Sequence, residues 1–292
     1  MGEFWVLLSA MMLAGTPLLI AGLGLLLNER VGVLNLGAEG MMLMGAMAGF
    51  AGAFWTGSIL FGLVLGAVAA ALLAALFGVL VVFLMTNQYA TGLAVMLFGT
   101  GLSAFLGTDL VQERLQVAQS PFIDNMACVA AIVLTVAVAY FFYRTRWGLV
   151  MRAVGESPES AHAIGYPVRV IRMAAVVAGG ALCGVAGAFL SIISSPIWSE
   201  GMTAGKGWIA LALIAFATWR PWRILFGAYL FGGVGILQLN MQAKGVYFVN
   251  SFVMSMLPYI ATILVLILIS HQPGWIRANM PASLGKPFHP SH

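Results

Sequence analysis

The stretch Ser58–Leu84, SILFGLVLGAVAAALLAALFGVLVVFL, runs without a single charged residue. A helix of about 20 apolar residues spans a hydrocarbon core of about 30 Å, so this run is long enough to cross a bilayer. The whole chain follows the same pattern. Of its 292 residues 62% are hydrophobic and 8% charged, with a mean hydropathy of +1.01. That leaves far too little polar material to cover a soluble globule. Transmembrane barrels read as short alternating segments, whereas continuous apolar runs read as helices, so the fold class is an all-α, polytopic transmembrane bundle.

Runs of this kind place spans at 4–27, 34–56, 58–84, 88–108, 125–143, 173–194, 206–219, 223–240 and 250–270, eight or nine in all. The chain reads as one transmembrane domain over 1–292. Its first half is 4–108, a connecting span and cytoplasmic loop fill 125–172, the second half is 173–270, and a cytoplasmic tail covers 271–292. The net charge of +4 does not point to nucleic acid. Arg144, Arg146, Arg152, Arg169 and Arg172 share one loop and most other basic residues flank apolar runs, which is the positive-inside pattern. That loop is therefore cytoplasmic, together with Arg220, Arg223, Arg277 and Lys286. The acidic loop 109–124 and the N-terminus fall outside. The start Met1-Gly-Glu3 lacks the basic region of a cleavable signal, so the first helix is expected to stay. Cys128 and Cys183 lie inside apolar runs without ligand spacing and read as packing residues.

Two segments fit a plain bundle badly. Asn28–Leu43, NERVGVLNLGAEGMML, sets Asn35 and Glu39 among glycines and apolar residues. Trp198–Ala212, WSEGMTAGKGWIALA, sets Glu200 and Lys206 before an apolar run too short to span. Both read as broken or re-entrant helices, whose irregular backbone is tolerated at membrane depth only beside protein or a water-filled cavity. Interrupted helices in corresponding places of two halves point to a transport pathway. Each segment carries a Glu-Gly-Met triplet, at Glu39–Met41 and Glu200–Met202, and an inverted repeat brings them in from opposite sides.

Polar side chains at membrane depth mark a pathway or a buried partner, which makes Asn35, Glu39, Asn87 and Gln88 the candidate pathway residues. A purely structural role is the alternative: Asn35 and Glu39 at the start of a half-helix, Asn87 and Gln88 at the interface. Glu200 and Lys206 read as a surface ion pair. Gly45-x-x-x-Gly49, Gly62-x-x-x-Gly66 and Gly180-x-x-x-Gly184 are packing signals. Catalysis finds no footing. The four histidines, His162, His271, His289 and His292, form no metal pair, and the two Gly-Lys sites lack the rest of a phosphate-binding loop. The chain carries no enzyme site, cofactor or ATPase of its own.

One cytoplasmic segment, Gly155–Gly165 (GESPESAHAIG), is soluble in character. Ser157 caps it, Pro158 fits the first helical position, Glu159 suits the positive end, and Gly165 stops it. A helix of about seven residues is marginal alone, so a partner's groove is the expected environment.

Several stretches together resemble one family: Glu29–Met47, Asn87–Gly107, Gly155–Arg172, Met202–Arg223 and the ending Leu284–Phe288, LGKPF. They are similar to permease subunits of bacterial ABC importers in the branched-chain amino acid, ribose and nucleoside branch, most closely the purine nucleoside (simple sugar) type. The resemblance implies a cytoplasmic (inner) membrane location, a second homologous permease, a cytoplasmic ABC ATPase that binds ATP and magnesium, and an extracytoplasmic substrate-binding lipoprotein. It implies that Gly155, Glu156, Pro158, Glu159, Ala161 and Gly165 shape a coupling helix docked in the ATPase, and it sets Leu34–Gly40 near the pathway. The expected function is ATP-driven import of nucleosides by alternating access, with a simple sugar or branched-chain amino acid as the alternative. An ion-coupled transporter needs a buried carboxylate cluster to which only Glu39 contributes, and a passive channel leaves the capped helix unexplained.

Overall fold

The computed structural model describes residues 2–111, 113–115, 121–243 and 279–289, together with 256, 260, 263 and 267. These residues build ten α-helices: α1 (Gly2–Arg30), α2 (Ala38–Thr56), α3 (Ile59–Gly78), α4 (Gln88–Leu106), α5 (Pro121–Arg144), α6 (Arg146–Glu156), α7 (Pro158–Ala163), α8 (Val168–Phe189), α9 (Lys206–Phe216) and α10 (Pro221–Ala243). Single π turns extend α3 over Val79–Phe83 and α8 over Leu190–Ser194. Among the described residues, six helices are long and apolar enough to cross a membrane: α1, α3, α4, α5, α8 and α10, with α3 and α8 counted through their π turns. The chain is thus a multi-pass helical membrane protein. The expected span 250–270 lies outside the described residues except at four positions, as do His271, Arg277 and His292.

Helix α8 is the hub. It packs on α1, α2 and α3, and 72% of its most apolar window is buried, against 22% for the peripheral α4. Small residues permit this closeness. A Cβ on Gly66 would stand 2.6 Å from the Gly45 carbonyl oxygen, one on Gly62 2.6 Å from that of Gly49, and one on Gly184 would collide with Gly66. The three Gly-x-x-x-Gly spacings therefore form one seam where α2, α3 and α8 touch backbone to backbone. Ser191 adds an interhelical bond, donating to the Ala46 carbonyl at 2.7 Å. Cys128 and Cys183 are buried and free, as packing residues should be.

The two ends of the bundle differ in charge. At one end gather Arg30, Arg152, Arg172, Arg220 and the tail 279–289. At the other, the loop after α4 meets the loop after α8 through Leu115 N–H to the Pro196 carbonyl, at 3.2 Å, and the Arg114–Ile197 bridge. The loop expected over 144–172 contains more order than its sequence suggested. Thr145 caps α6 by accepting the Gly148 N–H at 3.1 Å, and α6 buries Val150, Met151 and Val154 while exposing Trp147 and Leu149.

Candidate functional site: two interrupted helices and a capped short helix

After Arg30 the chain leaves helical geometry for seven residues and re-enters it at Ala38. Gly32 takes a left-handed φ of +86° that lets the chain turn, and Val31 and Val33 N–H groups both donate to the Asn28 carbonyl. The Asn35 carboxamide then accepts the Gly37 N–H at 3.0 Å and directs its own NH2 at Met41 Sδ. From the neighbouring helix, Gln88 accepts the Leu34 N–H at 2.8 Å, and Leu36 lies over Gly92, where a side chain would not fit. Asn35 and Gln88 are thus buried and satisfy irregular backbone. Asn87 is exposed and caps α4, accepting Tyr89 and Ala90 N–H at 3.0 and 3.1 Å.

The second interruption lies opposite. The chain from Ser195 to Gly205 precedes α9, which has 11 residues and a length of about 16 Å, roughly half a hydrocarbon core. Its far end reaches the basic end of the bundle, where the Trp219 carbonyl accepts Arg30 Nη2 at 2.5 Å. The start of α9 therefore stands near mid-depth. There it meets Glu39. Thr203 Oγ1 donates to Glu39 Oε1 at 2.5 Å, Gly205 N–H donates to the same oxygen at 2.8 Å, and Gly207 N–H donates to Oε2 at 2.6 Å. Glu39 is 6% exposed, and a Cβ on Gly207 would come within 2.7 Å of the Glu39 backbone. A charge at this depth is costly unless it is hydrogen-bonded, and here two donors from the loop and one from the first turn of α9 supply the compensation.

Lys206 Nζ donates to the Thr203 carbonyl at 3.5 Å and makes no ion pair with Glu200, so the expected surface pair does not form. The reason is geometric: the loop turns at Gly201 and Gly205, with φ of +64° and +81°, and carries Lys206 inward. Lys206 instead lines a cavity of about 450 Å³ with Ser194, Ser195, Phe231 and Gln238, between α1, α9 and α10. This is the size of a small-molecule site. None of the four pathway residues named from sequence lines it; Glu39 holds the loop that forms its wall. Ser194 and Gln238 carried no signal in the sequence beyond being polar residues at the ends of apolar runs.

At the basic end, α7 has the expected punctuation. The Ser157 hydroxyl accepts the Ser160 N–H at 3.3 Å, Pro158 occupies the first turn, and Gly165 has φ +98°. Tyr166 N–H closes the last turn on the Ala161 carbonyl at 3.1 Å. Pro158 and Ala161 are buried. Glu156, Glu159, Ser160 and His162 are exposed, and Ile164 is 77% exposed with Tyr166 beside it at 38%. Gly155 is pressed against the Arg30 carbonyl and leaves no room for a side chain.

The tail holds this surface from behind. Ser283 donates through its hydroxyl to the Gly155 carbonyl at 2.7 Å and through its backbone N–H to the same oxygen at 3.0 Å. Arg172 donates to Ser283 Oγ at 3.1 Å and to the Lys286 carbonyl at 3.2 Å. Gly285 N–H reaches the Gly32 carbonyl at 3.1 Å, and the buried Phe288 ring lies edge-on to His162, centroids 5.6 Å apart. One strap thus joins the first interrupted segment, α7 and α8.

A multi-pass helical protein with two interrupted helices meeting at mid-depth beside a cavity, and a capped short helix at its basic end, has the architecture of a transport subunit. The chain belongs to the family described as branched-chain amino acid transport system / permease component, which matches residues 7–269. Several relatives cover nearly its full length. TsgC13 of Haloferax volcanii, provisionally named as a glucose ABC transporter permease, is 40% identical over 95% of each chain. The nucleoside ABC transporter permease NupC of Lactococcus lactis is 29% identical over 90% of this chain and 92% of its own, and the guanosine ABC transporter permease NupQ of Bacillus subtilis 28% over 97% and 96%. No solved structure matches. The protein is an ABC transporter permease subunit, a transport component and not an enzyme.

Proposed function

We propose that this permease imports a nucleoside across the bacterial inner membrane by alternating access, as half of a pathway whose other half is a second permease. The carrying observation is the Glu39 cluster, in which a carboxylate from the first interrupted helix completes the backbone of the second, directly beside a cavity of small-molecule size. Phe231 gives that cavity an aromatic face for a base, while Ser194, Ser195 and Gln238 give it hydroxyl and amide groups for a ribose. Glu39 holds the loop that walls the cavity, Asn35 and Gln88 hold the backbone of the first interrupted segment that carries Glu39, and Asn87 caps α4 beside Gln88. The meeting of the two segments supports an inverted repeat, and α2 and α9 bring the six long helices toward the eight or nine spans read from sequence.

Gly155, Glu156, Pro158, Glu159, Ala161 and Gly165 form the coupling helix, which docks on an ABC ATPase that binds ATP and magnesium. Its exposed Glu159 and Ile164, on a helix too short to stand alone, support this reading. An extracytoplasmic binding lipoprotein delivers substrate. A simple sugar is the second reading, favoured by the 40% identity to a relative provisionally named for glucose. The deciding experiment is uptake of labelled guanosine, with glucose, ribose and leucine as competitors, into proteoliposomes holding the complete complex. Guanosine uptake that requires ATP on the ATPase side and survives collapse of ion gradients is the expected result. Uptake of glucose alone would transfer the pathway to sugars, and ion-driven uptake without the ATPase would overturn the importer.

A further inference from the structure

A second cavity, of about 760 Å³, opens at the basic end between the end of α1, the α5–α6 corner and the start of α10. Among the described residues, Arg30, Arg152, Arg220 and Arg223 line it against the single carboxylate of Glu156. Arg30 and Arg223 are tied to neighbouring groups. Arg30 donates to the Trp219 carbonyl and to the Asn279 carbonyl, and Arg223 Nη1 donates to Thr218 Oγ1 at 2.6 Å. The Arg152 guanidinium lies 5.6 Å from the centre of the Tyr143 ring, and its buried Nε has no hydrogen-bond partner among the described residues. Thr218 and Trp219 adopt left-handed φ of +47° and +55°, an unfavourable geometry for such residues, in the turn that presents Arg220 and Arg223 to the cavity.

Four guanidinium groups converging on one concavity repel one another unless an anion joins them. Positive-inside loops satisfy their charge with arginines spread on a solvated surface, as Arg144 and Arg146 are here; a shared cavity is a different arrangement. The rim carries Tyr143, Leu149 and Trp222, 45%, 59% and 46% exposed, and just membraneward of it α5 and α10 expose Tyr140 and Phe226. Aromatic side chains of this kind sit at the headgroup level, so access to the cavity is from the side, through the lipid interface. Guanidinium forks match phosphate oxygens bidentately.

We propose that this cavity binds a phosphate-bearing anion, supplied by the headgroup of an anionic lipid in the cytoplasmic leaflet. The orientation follows from the charge pattern of the loops and is independent of the transported substrate. The site abuts Glu156 at the root of the coupling helix, so its occupancy bears on how firmly that helix is held.

The test is a titration of the full chain in neutral detergent with short-chain phosphatidylglycerol, followed by native mass spectrometry, with phosphatidylcholine as the neutral control. One tightly held phosphatidylglycerol per chain is expected. Arg152→Gln with Arg220→Gln should weaken it about tenfold or more, at about 1 kcal/mol per basic residue. Arg144→Gln with Arg146→Gln removes the same charge outside the cavity and should leave binding unchanged. Equal losses in the two double variants, or equal retention of both lipids, would overturn the site. Displacement by millimolar inorganic phosphate would keep the anion site and assign it to a free phosphate; failure to displace assigns it to the lipid. Arg220 is exposed, so Arg220→Glu alone serves should the double variant not fold.

Discussion

Glu39 accepts the backbone N–H of Gly207 at 2.6 Å, and the glycine's missing side chain is what allows the two backbones to lie so close. Each residue explains the other. Without the carboxylate, the start of α9 would present unpaired N–H groups at membrane depth; without the glycine, the carboxylate could not reach them. Glu39→Gln keeps the shape but turns a donor toward the loop, leaving a buried N–H unpaired at a cost of about 1–3 kcal/mol. Substrate uptake by the assembled transporter should fall about tenfold while the chain still inserts, and unchanged uptake would remove the positioning role.

The α2–α3–α8 seam predicts a contrast between glycines. Gly184→Val forces a side chain into the Gly66 backbone and should cost about 1–3 kcal/mol or more, read as a lowered unfolding temperature in detergent. Gly101→Ala, in α4 with open space around it, should be neutral or slightly stabilising.

Deletion of 156–162, or Glu159→Lys on the exposed face of α7, should break the link between ATP hydrolysis and uptake and leave insertion intact. The ratio of phosphate released to substrate moved is the readout. A deletion variant that transports normally would end the coupling assignment.

Ser283→Ala removes one bond to Gly155 and one acceptor from the buried Arg172, worth about 1.5–3 kcal/mol together for a charged donor. Phe288→Ala removes the ring that packs on His162. Both variants should raise amide exchange in α7 and in the Gly32 loop together. Exchange that rises only in the tail would mean that the strap carries no strain between them.

Asn87 and Gln88 adjoin in sequence but differ in what they hold. Asn87→Ala should cost about 1 kcal/mol as a lost helix cap and leave the apparent affinity for substrate unchanged. Gln88→Ala releases the Leu34 N–H and should lower the uptake rate. Equal effects on affinity would bring Asn87 into the pathway itself.

The legible parts of this fold were those with local causes. Apolar runs gave the long helices, small-residue spacings gave the seam, and Ser157, Pro158 and Gly165 gave α7 nearly to the residue. The interrupted segments could be marked because glycines and charges stood where apolar residues belonged. Their meeting could not, since nothing local joins Glu39 to residues more than 160 positions away. Lys206 misled for a related reason: its neighbour in sequence is Glu200, but two left-handed glycines redirect the chain between them. Helix α6 was missed because it is short, interrupted by Gly148 and amphipathic, so that only its packing against the bundle reveals it. Ser194, Gln238 and the arginine cavity depend wholly on tertiary arrangement.

The strap has a consequence for biogenesis. Gly32, Gly155 and Arg172 are all held by residues of 283–286, and the ribosome makes these after every element they join. At translation rates of roughly 5–20 residues per second, the root of α7 waits on the order of ten seconds for the Ser283 that fastens it, 128 residues later. A nascent chain thus displays α7 with its root unfastened for the whole time that α8, α9 and α10 are being made.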